Sequence, residues 1–202
     1  MRPPITKEDI LPLDKFLEIR QKKQKEIIEI KKHRRVSVGP DITFYFESYD
    51  TIWWQIHEML RTEQGGQEQI EDELRAYASL IPHGYPDQSH QLVATMMIEI
   101  DDPERRKKVL SQLTGIEETI FLKFENCKIN AKAEADIERT DKTGKTSSVH
   151  FLHFLLDKNQ IHKFIQPEQD IILEIKHPHY AHKSLLSEET RQALSRDLLF
   201  FR

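Results

Sequence analysis

Gln55, His57, Glu58 and Arg61 fall within two turns of one apolar-periodic segment, and both tryptophans of the chain, Trp53 and Trp54, stand beside them. An imidazole, a carboxylate and a guanidinium so close together can move protons, bind a metal or grip a partner. The run His57-Glu58-Met59-Leu60-Arg61 begins like a zinc-protease helix, in which two imidazoles one turn apart hold the metal. Arg61 occupies the second ligand position, and a guanidinium does not coordinate zinc.

Other partial motifs fail on similar grounds. Thr143-Gly144-Lys145-Thr146 resembles the tail of a phosphate-binding loop, but Arg139 stands where the first glycine belongs. The residues after it, Ser147 to Phe151, read as a strand where phosphate requires a helix N-terminus. Glu174 and His177 have the three-residue step of di-iron bundles, yet the step occurs once and on a strand, which turns the two side chains to opposite faces. Of ten histidines, His177, His179 and His182 crowd six residues, with His150 and His153 upstream. Metal-ligand candidates are therefore Glu47, His57, Glu58, Glu63, His177, His179 and His182, and interaction candidates are Trp54, Gln55, Glu58 and Arg61. No cofactor is expected, and a metal ion is the open alternative. Trp53 is expected in the core. Trp54, turned about 100° away, is expected to contact a partner or another helix.

The whole chain narrows the class. Its 202 residues, 38% hydrophobic and 32% charged, suit a single domain spanning 1–202 with one core. A net charge of −4 argues against general attraction to nucleic acid or anionic lipid. Lys22 to Arg35 is nonetheless basic, and reads as a helix-end feature rather than a nucleic-acid site. One cysteine, Cys127, excludes an intramolecular disulfide and a thiolate zinc cluster. The N-terminus has no signal-like apolar core and no run is long enough to span a membrane, so a cytoplasmic location is expected.

Local patterns predict an α+β fold with a mostly antiparallel sheet. A long N-terminal helix within 1–35, opened by Thr6 and Asp9, is expected to project or to bend before Glu26, because Gln21 to Lys25 lacks an apolar anchor. Val36–Val38 and Ile42–Phe46 flank Gly39-Pro40-Asp41 as a hairpin. A helix pair follows, the first member capped by Asp50 and the second ending before Pro82. Leu92 to Ile100 reads as a central strand covered on both faces. Asp102-Pro103 opens a helix that Gly115 stops. Strands are expected at Thr119 to Glu125 and Lys128 to Ala133, joined at Asn126-Cys127, then at Val149 to Leu156 and Ile171 to Ile175. Asp157 and Ser187 start further helices, residues 138–148 form a mobile loop, and His177 to His182 form a polar loop.

Pro4-Ile5-Thr6, Leu11-Pro12-Leu13, Arg34-Arg35-Val36, Gly39-Pro40, Phe46-Glu47, Asp50-Thr51, Gln55 to Arg61, Glu73-Leu74, Leu80-Ile81-Pro82, Leu92 to Ile100 and His177-Pro178-His179-Tyr180 together resemble the bacterial proteins grouped as domain of unknown function 3501. The likeness spans nearly the whole chain. It departs at His57, where that pattern often has glutamine, so no ligand role carries over to His57. The resemblance implies a small cytosolic protein without an assigned activity, encoded near rubrerythrin-like and iron–sulfur oxidoreductase proteins. The expected function is a non-catalytic accessory or interaction protein linked to redox or iron metabolism, with an iron or redox protein as partner. The alternatives are a metal-binding protein or enzyme using His and Glu, and weak nucleic-acid binding through 22–35.

Overall fold

The computed structural model describes residues 4–64, 66–134, 144–166 and 169–199. In chain order the elements are α1 (Leu13–Lys32), β1 (Arg35–Val38), β2 (Ile42–Phe46), α2 (Tyr49–Glu63), α3 (Gly66–Tyr77), β3 (His90–Ile98), α4 (Pro103–Gln112), β4 (Ile120–Phe124), β5 (Cys127–Asn130), β6 (Lys132–Ala133), β7 (Val149–Leu156), α5 (Lys158–Phe164), β8 (Ile172–His177), β9 (Tyr180–Leu185) and α6 (Glu188–Leu199). The α+β expectation holds, with two antiparallel sheets in place of one. Their strand orders are β1-β2-β3-β7-β6 and β5-β4-β8-β9.

Strand alternation builds the interior. Phe44 pairs with Met96, Phe46 with Ala94, and Ala94 with Leu152, so these residues share the inner face of the larger sheet. Leu122 pairs with Leu173 and Ile120 with Ile175 on the smaller sheet, and one hydrophobic core joins the two inner faces. Burying each large aliphatic or aromatic side chain here contributes about 1.5–3 kcal/mol. The expected strand Lys128 to Ala133 is divided: β5 belongs to the smaller sheet and β6 to the larger, and the chain crosses at Ala131, whose N–H donates to Ile120 O. The turn before it lies at Glu125 and Asn126 rather than Asn126-Cys127, with Glu125 at φ 46°.

The outer face of the larger sheet is covered by helices. Val93 of β3 packs with Ile52 and Ile56 of α2, and α1 then lies on α2 through Phe16, Ile27 and Trp54. The N-terminal helix does not run from Thr6. Thr6 and Asp9 cap only a short 3₁₀ turn at Lys7–Asp9, and Pro12, which disfavours helical backbone at the preceding residue, delays α1 until Leu13. Its weak middle neither projects nor bends away: α1 is continuous, anchored by Phe16 and Ile27 on either side of Gln21 to Lys25. Ser48, not Asp50, caps α2, accepting from Thr51 N–H while Thr51 Oγ1 accepts from Ser48 N–H.

The histidine-rich segment is not a loop. It forms the β8–β9 hairpin, turning at Pro178 and His179. Of the expected loop 138–148, residues 138–143 lie outside the described residues. Thr146 is buried, and its N–H donates to Leu110 O.

Tyr180 on β9 ties the sheets together at one corner. Its buried hydroxyl donates to Val38 O at 2.8 Å and accepts from Asp41 N–H at 3.0 Å, gripping the β1–β2 turn. Gly39 in that turn has φ +74°, and a Cβ there would stand 2.6 Å from the Tyr180 hydroxyl oxygen. Tyr180→Phe orphans two backbone groups and is expected to lower unfolding stability by about 1–3 kcal/mol. Gly39→Ala is expected to cost at least as much, through both the contact and the left-handed backbone. Urea denaturation of both variants measures these losses.

Candidate functional site

The side chains of β2, β3 and β7 that point away from the core, Tyr45, Thr95, Met97, Val149 and Phe151, line the floor of a cleft of about 440 Å³. Thr51, Ile52 and Gln55 of α2, with Tyr77 and Leu80, form its other wall, and Lys31 and Arg34 close one end. Glu47, in the link from β2 to α2, is held from both sides. Its N–H donates to Val93 O, its Oε1 accepts from Thr95 Oγ1 at 2.7 Å, and its Oε2 accepts from Thr51 Oγ1 at 2.6 Å. Arg34 is buried, donates to Glu47 O at 3.2 Å, and makes a bidentate pair with Asp197 of α6 at 2.7 and 2.8 Å. Burial pushes the Tyr77 phenol above its ordinary pKa, with nearby carboxylates adding to the shift and the Gln55 side chain opposing it. Tyr77 therefore remains a protonated donor at neutral pH.

A broader cleft of about 980 Å³ shares Tyr77, Leu80 and Phe151 with the first. A chain of polar contacts runs along it. Tyr85 donates to Gln91 Oε1 at 3.0 Å, Gln91 Nε2 donates to His153 Nδ1 at 2.9 Å, and His153 Nε2 stands 3.3 Å from Glu134 Oε1. This arrangement places the proton of a neutral His153 on Nε2, facing the carboxylate. Burial lowers the His153 pKa, and Glu134 opposes that shift.

The expected interaction face of α2 is largely covered by α1. Trp54 is 7% exposed and packs on Phe16 with ring centroids 5.6 Å apart, because α1 lies on the face it presents. Inter-helix contact, one of the two roles expected of it, is the one observed. Trp53 is half-buried and its indole N–H donates to Asp9 O at 2.8 Å. Glu58 accepts a bidentate bond from Arg20 of α1 at 2.8 and 2.9 Å and a longer pair from Arg61. The Arg20 guanidinium holds the Glu58 carboxyl below the usual carboxylate range; burial opposes that shift and Arg61 adds to it. Gln55 faces the cleft and Arg61 is partly exposed.

The metal-ligand candidates do not converge. His57 is 1% exposed; its Nδ1–H donates to Trp53 O at 2.8 Å and its Nε2 accepts from Leu11 N–H at 3.0 Å, so both nitrogens are occupied. Glu63 accepts from Gln69. His177 Nε2 donates to Thr114 O and its Nδ1 accepts from His179 N–H, at the end of β8 in the smaller sheet, whereas Glu47 follows β2 of the larger one. His179 and His182 are exposed, and the His182 ring packs against Tyr180. Among the described residues, no group of three or more His, Cys, Asp or Glu side chains could hold a metal ion. Much of the basic segment is paired within the molecule: Lys22 and Lys23 with Glu26, Lys32 with Glu29, Arg34 with Asp197, and Arg35 with Glu99.

Sequence reasoning missed Thr95, Tyr77, Tyr85, Gln91 and Glu134. The available signal was in β3, where Gln91 and Thr95 interrupt an otherwise apolar run on the face opposite Leu92, Ala94 and Met96.

Fold and site together define a two-sheet α+β protein whose larger sheet carries a ligand-sized cleft under its helices. The chain belongs to the family described as protein of unknown function (DUF3501), whose model matches residues 4–198. It is similar to a solved structure from Burkholderia pseudomallei K96243, described as a novel protein of unknown function. The two chains are 33% identical with a TM-score of 0.86, over 96% of this chain and 99% of that one. No curated protein matches. Among the described residues, no helix is long and apolar enough to cross a membrane.

The buried histidines set a pH dependence. Burial pushes His90 from 6.5 down to about 4, and lowers His57 and His153. As pH falls, the unfolded chain takes up these protons before the folded one does. Stability is therefore held above about pH 6.5 and lost on the way to pH 4, by about 3 kcal/mol for His90 alone. Carboxylates with lowered pKa, such as Glu58, act in the same direction only below about 4.5. Urea midpoints between pH 7 and 5 should fall in the native protein, and the fall should be shallower in His90→Gln.

Proposed function

We propose that this protein is a small-molecule-binding accessory protein, and that the Glu47 cleft takes a ligand with an ammonium head and an apolar body. The observation that carries this reading is the Glu47 carboxylate, clamped by Thr51 and Thr95 hydroxyls in a cleft whose other surfaces include Ile52, Leu80, Met97, Val149 and Phe151. A carboxylate fixed in this way needs no rearrangement to receive a cation, and the surrounding hydrocarbon strengthens the attraction by excluding water. A volume of about 440 Å³ suits a compact organic molecule. An accessory role in redox or iron metabolism, with an iron or redox protein as partner, belongs to the proposal as what the family resemblance implies.

The chain through Tyr85, Gln91, His153 and Glu134 favours a second reading, acid–base chemistry on a ligand reaching into the broader cleft. The His–Glu enzyme alternative is best placed there, rather than at His57 or His177.

Phenethylammonium and its neutral counterpart 2-phenylethanol separate the leading reading from simple hydrophobic uptake. A charge-assisted hydrogen bond of about 1.5–3 kcal/mol predicts roughly ten- to hundredfold tighter binding of the ammonium by calorimetry. Glu47→Gln should abolish the difference. Equal affinity for the two probes, or a preference that survives Glu47→Gln, overturns the reading.

A further inference from the structure

The solvent side of α1 is more apolar than its inward packing requires. Leu17 is 51% exposed and Ile28 58%, while Leu13 is 42% exposed at the start of the helix. Leu17, Gln21, Gln24 and Ile28 recur at steps of four, three and four, which places them on one stripe, and all four are exposed. The stripe lies beside the buried face formed by Phe16 and Ile27. It carries no charge along its middle.

The charges flanking it have a definite order. Glu18 follows Leu17 and Lys25 follows Gln24, so equivalent positions one heptad apart bear opposite signs. Both side chains are exposed. Glu18 pairs with Lys15 three residues away at 3.0 Å, a surface contact worth less than about 1 kcal/mol and easily exchanged. Lys22 and Lys23 are engaged by Glu26.

We propose that α1 is a self-association surface, pairing antiparallel with α1 of a second copy about a two-fold axis between residues 22 and 23. In that register Leu17 meets Ile28 of the second copy, Gln21 meets Gln24, and Glu18 reaches Lys25, each contact occurring twice by symmetry. A parallel, in-register pairing would leave Glu18 and Lys25 on opposite sides of the seam and about 10 Å apart along it, so only the antiparallel pairing joins these opposite charges. A single helix pair is a small interface, so the dimer is weak and dependent on concentration. Formation of this dimer does not depend on a ligand in the Glu47 cleft.

Sedimentation velocity on the full chain across a concentration series tests the pairing, with circular dichroism confirming that each variant is folded. The native protein is expected to shift from monomer to dimer as concentration rises, and Leu17→Ser with Ile28→Ser to remain monomeric. Glu18→Lys or Lys25→Glu alone turns both attractive pairs into like-charge pairs and should weaken the dimer roughly thirtyfold, each pair losing about 0.5 kcal/mol of attraction and gaining about as much repulsion. The double exchange restores both pairs and should return the dissociation constant to within about twofold of native. A native protein that stays monomeric at every concentration overturns the proposal. So does a dimer indifferent to the Ser changes, or one not rescued by the double exchange.

Discussion

The outer face of β3 must be kept from water, and much of the molecule follows from that requirement. Leu92, Ala94 and Met96 enter the core between the sheets, while Val93 on the opposite face is 1% exposed and needs cover of its own. Ile52 and Ile56 of α2 supply it. Cover by a straight helix over a twisted sheet is incomplete, and where it falls short, around Thr95, Met97 and Phe151, the cleft opens. The helix that completes the interior also leaves the space into which Glu47 is set.

A second layer depends on the first. Because α2 presents both Trp54 and Glu58 outward from the sheet, α1 must satisfy an indole and a carboxylate together. Phe16 packs on the ring, and Arg20 binds the carboxylate while its guanidinium lies 5.8 Å from the Trp54 ring centroid. His57, beneath them, joins the Leu11 backbone to its own helix. Residues that looked chemically poised in the linear order are thus largely the joint between two helices. The polar groups left for chemistry come from strands and strand ends: Glu47, Thr95, Gln91 and His153. These residues are separated in the chain, and antiparallel pairing of β2, β3 and β7 brings them onto one face.

Much was legible in the linear order wherever the determinant was local. Residue alternation marked β2 and β7, Asp102 followed by Pro103 marked the start of α4, Asp157 capped α5 and Ser187 preceded α6. The doubly apolar run of β3 announced a strand covered on both faces. Failures occurred where two local signals competed. Thr6 and Asp9 propose a helix start, but Pro12 imposes another, and histidines with a proline read as a loop although Tyr180 to Leu185 pairs with β8.

Sequence by itself determined the class of elements, the double burial of β3 and the absence of complete metal or phosphate motifs, because periodicity, capping and ligand spacing are properties of neighbouring residues. Tertiary structure alone decided that the fold has two sheets, that Tyr180 seats the Gly39 turn, that Arg20 reaches Glu58, and that Glu47 lies between Thr51 and Thr95. Those outcomes rest on contacts between distant segments. Their geometry follows from strand register and helix placement, which no single stretch of the chain encodes.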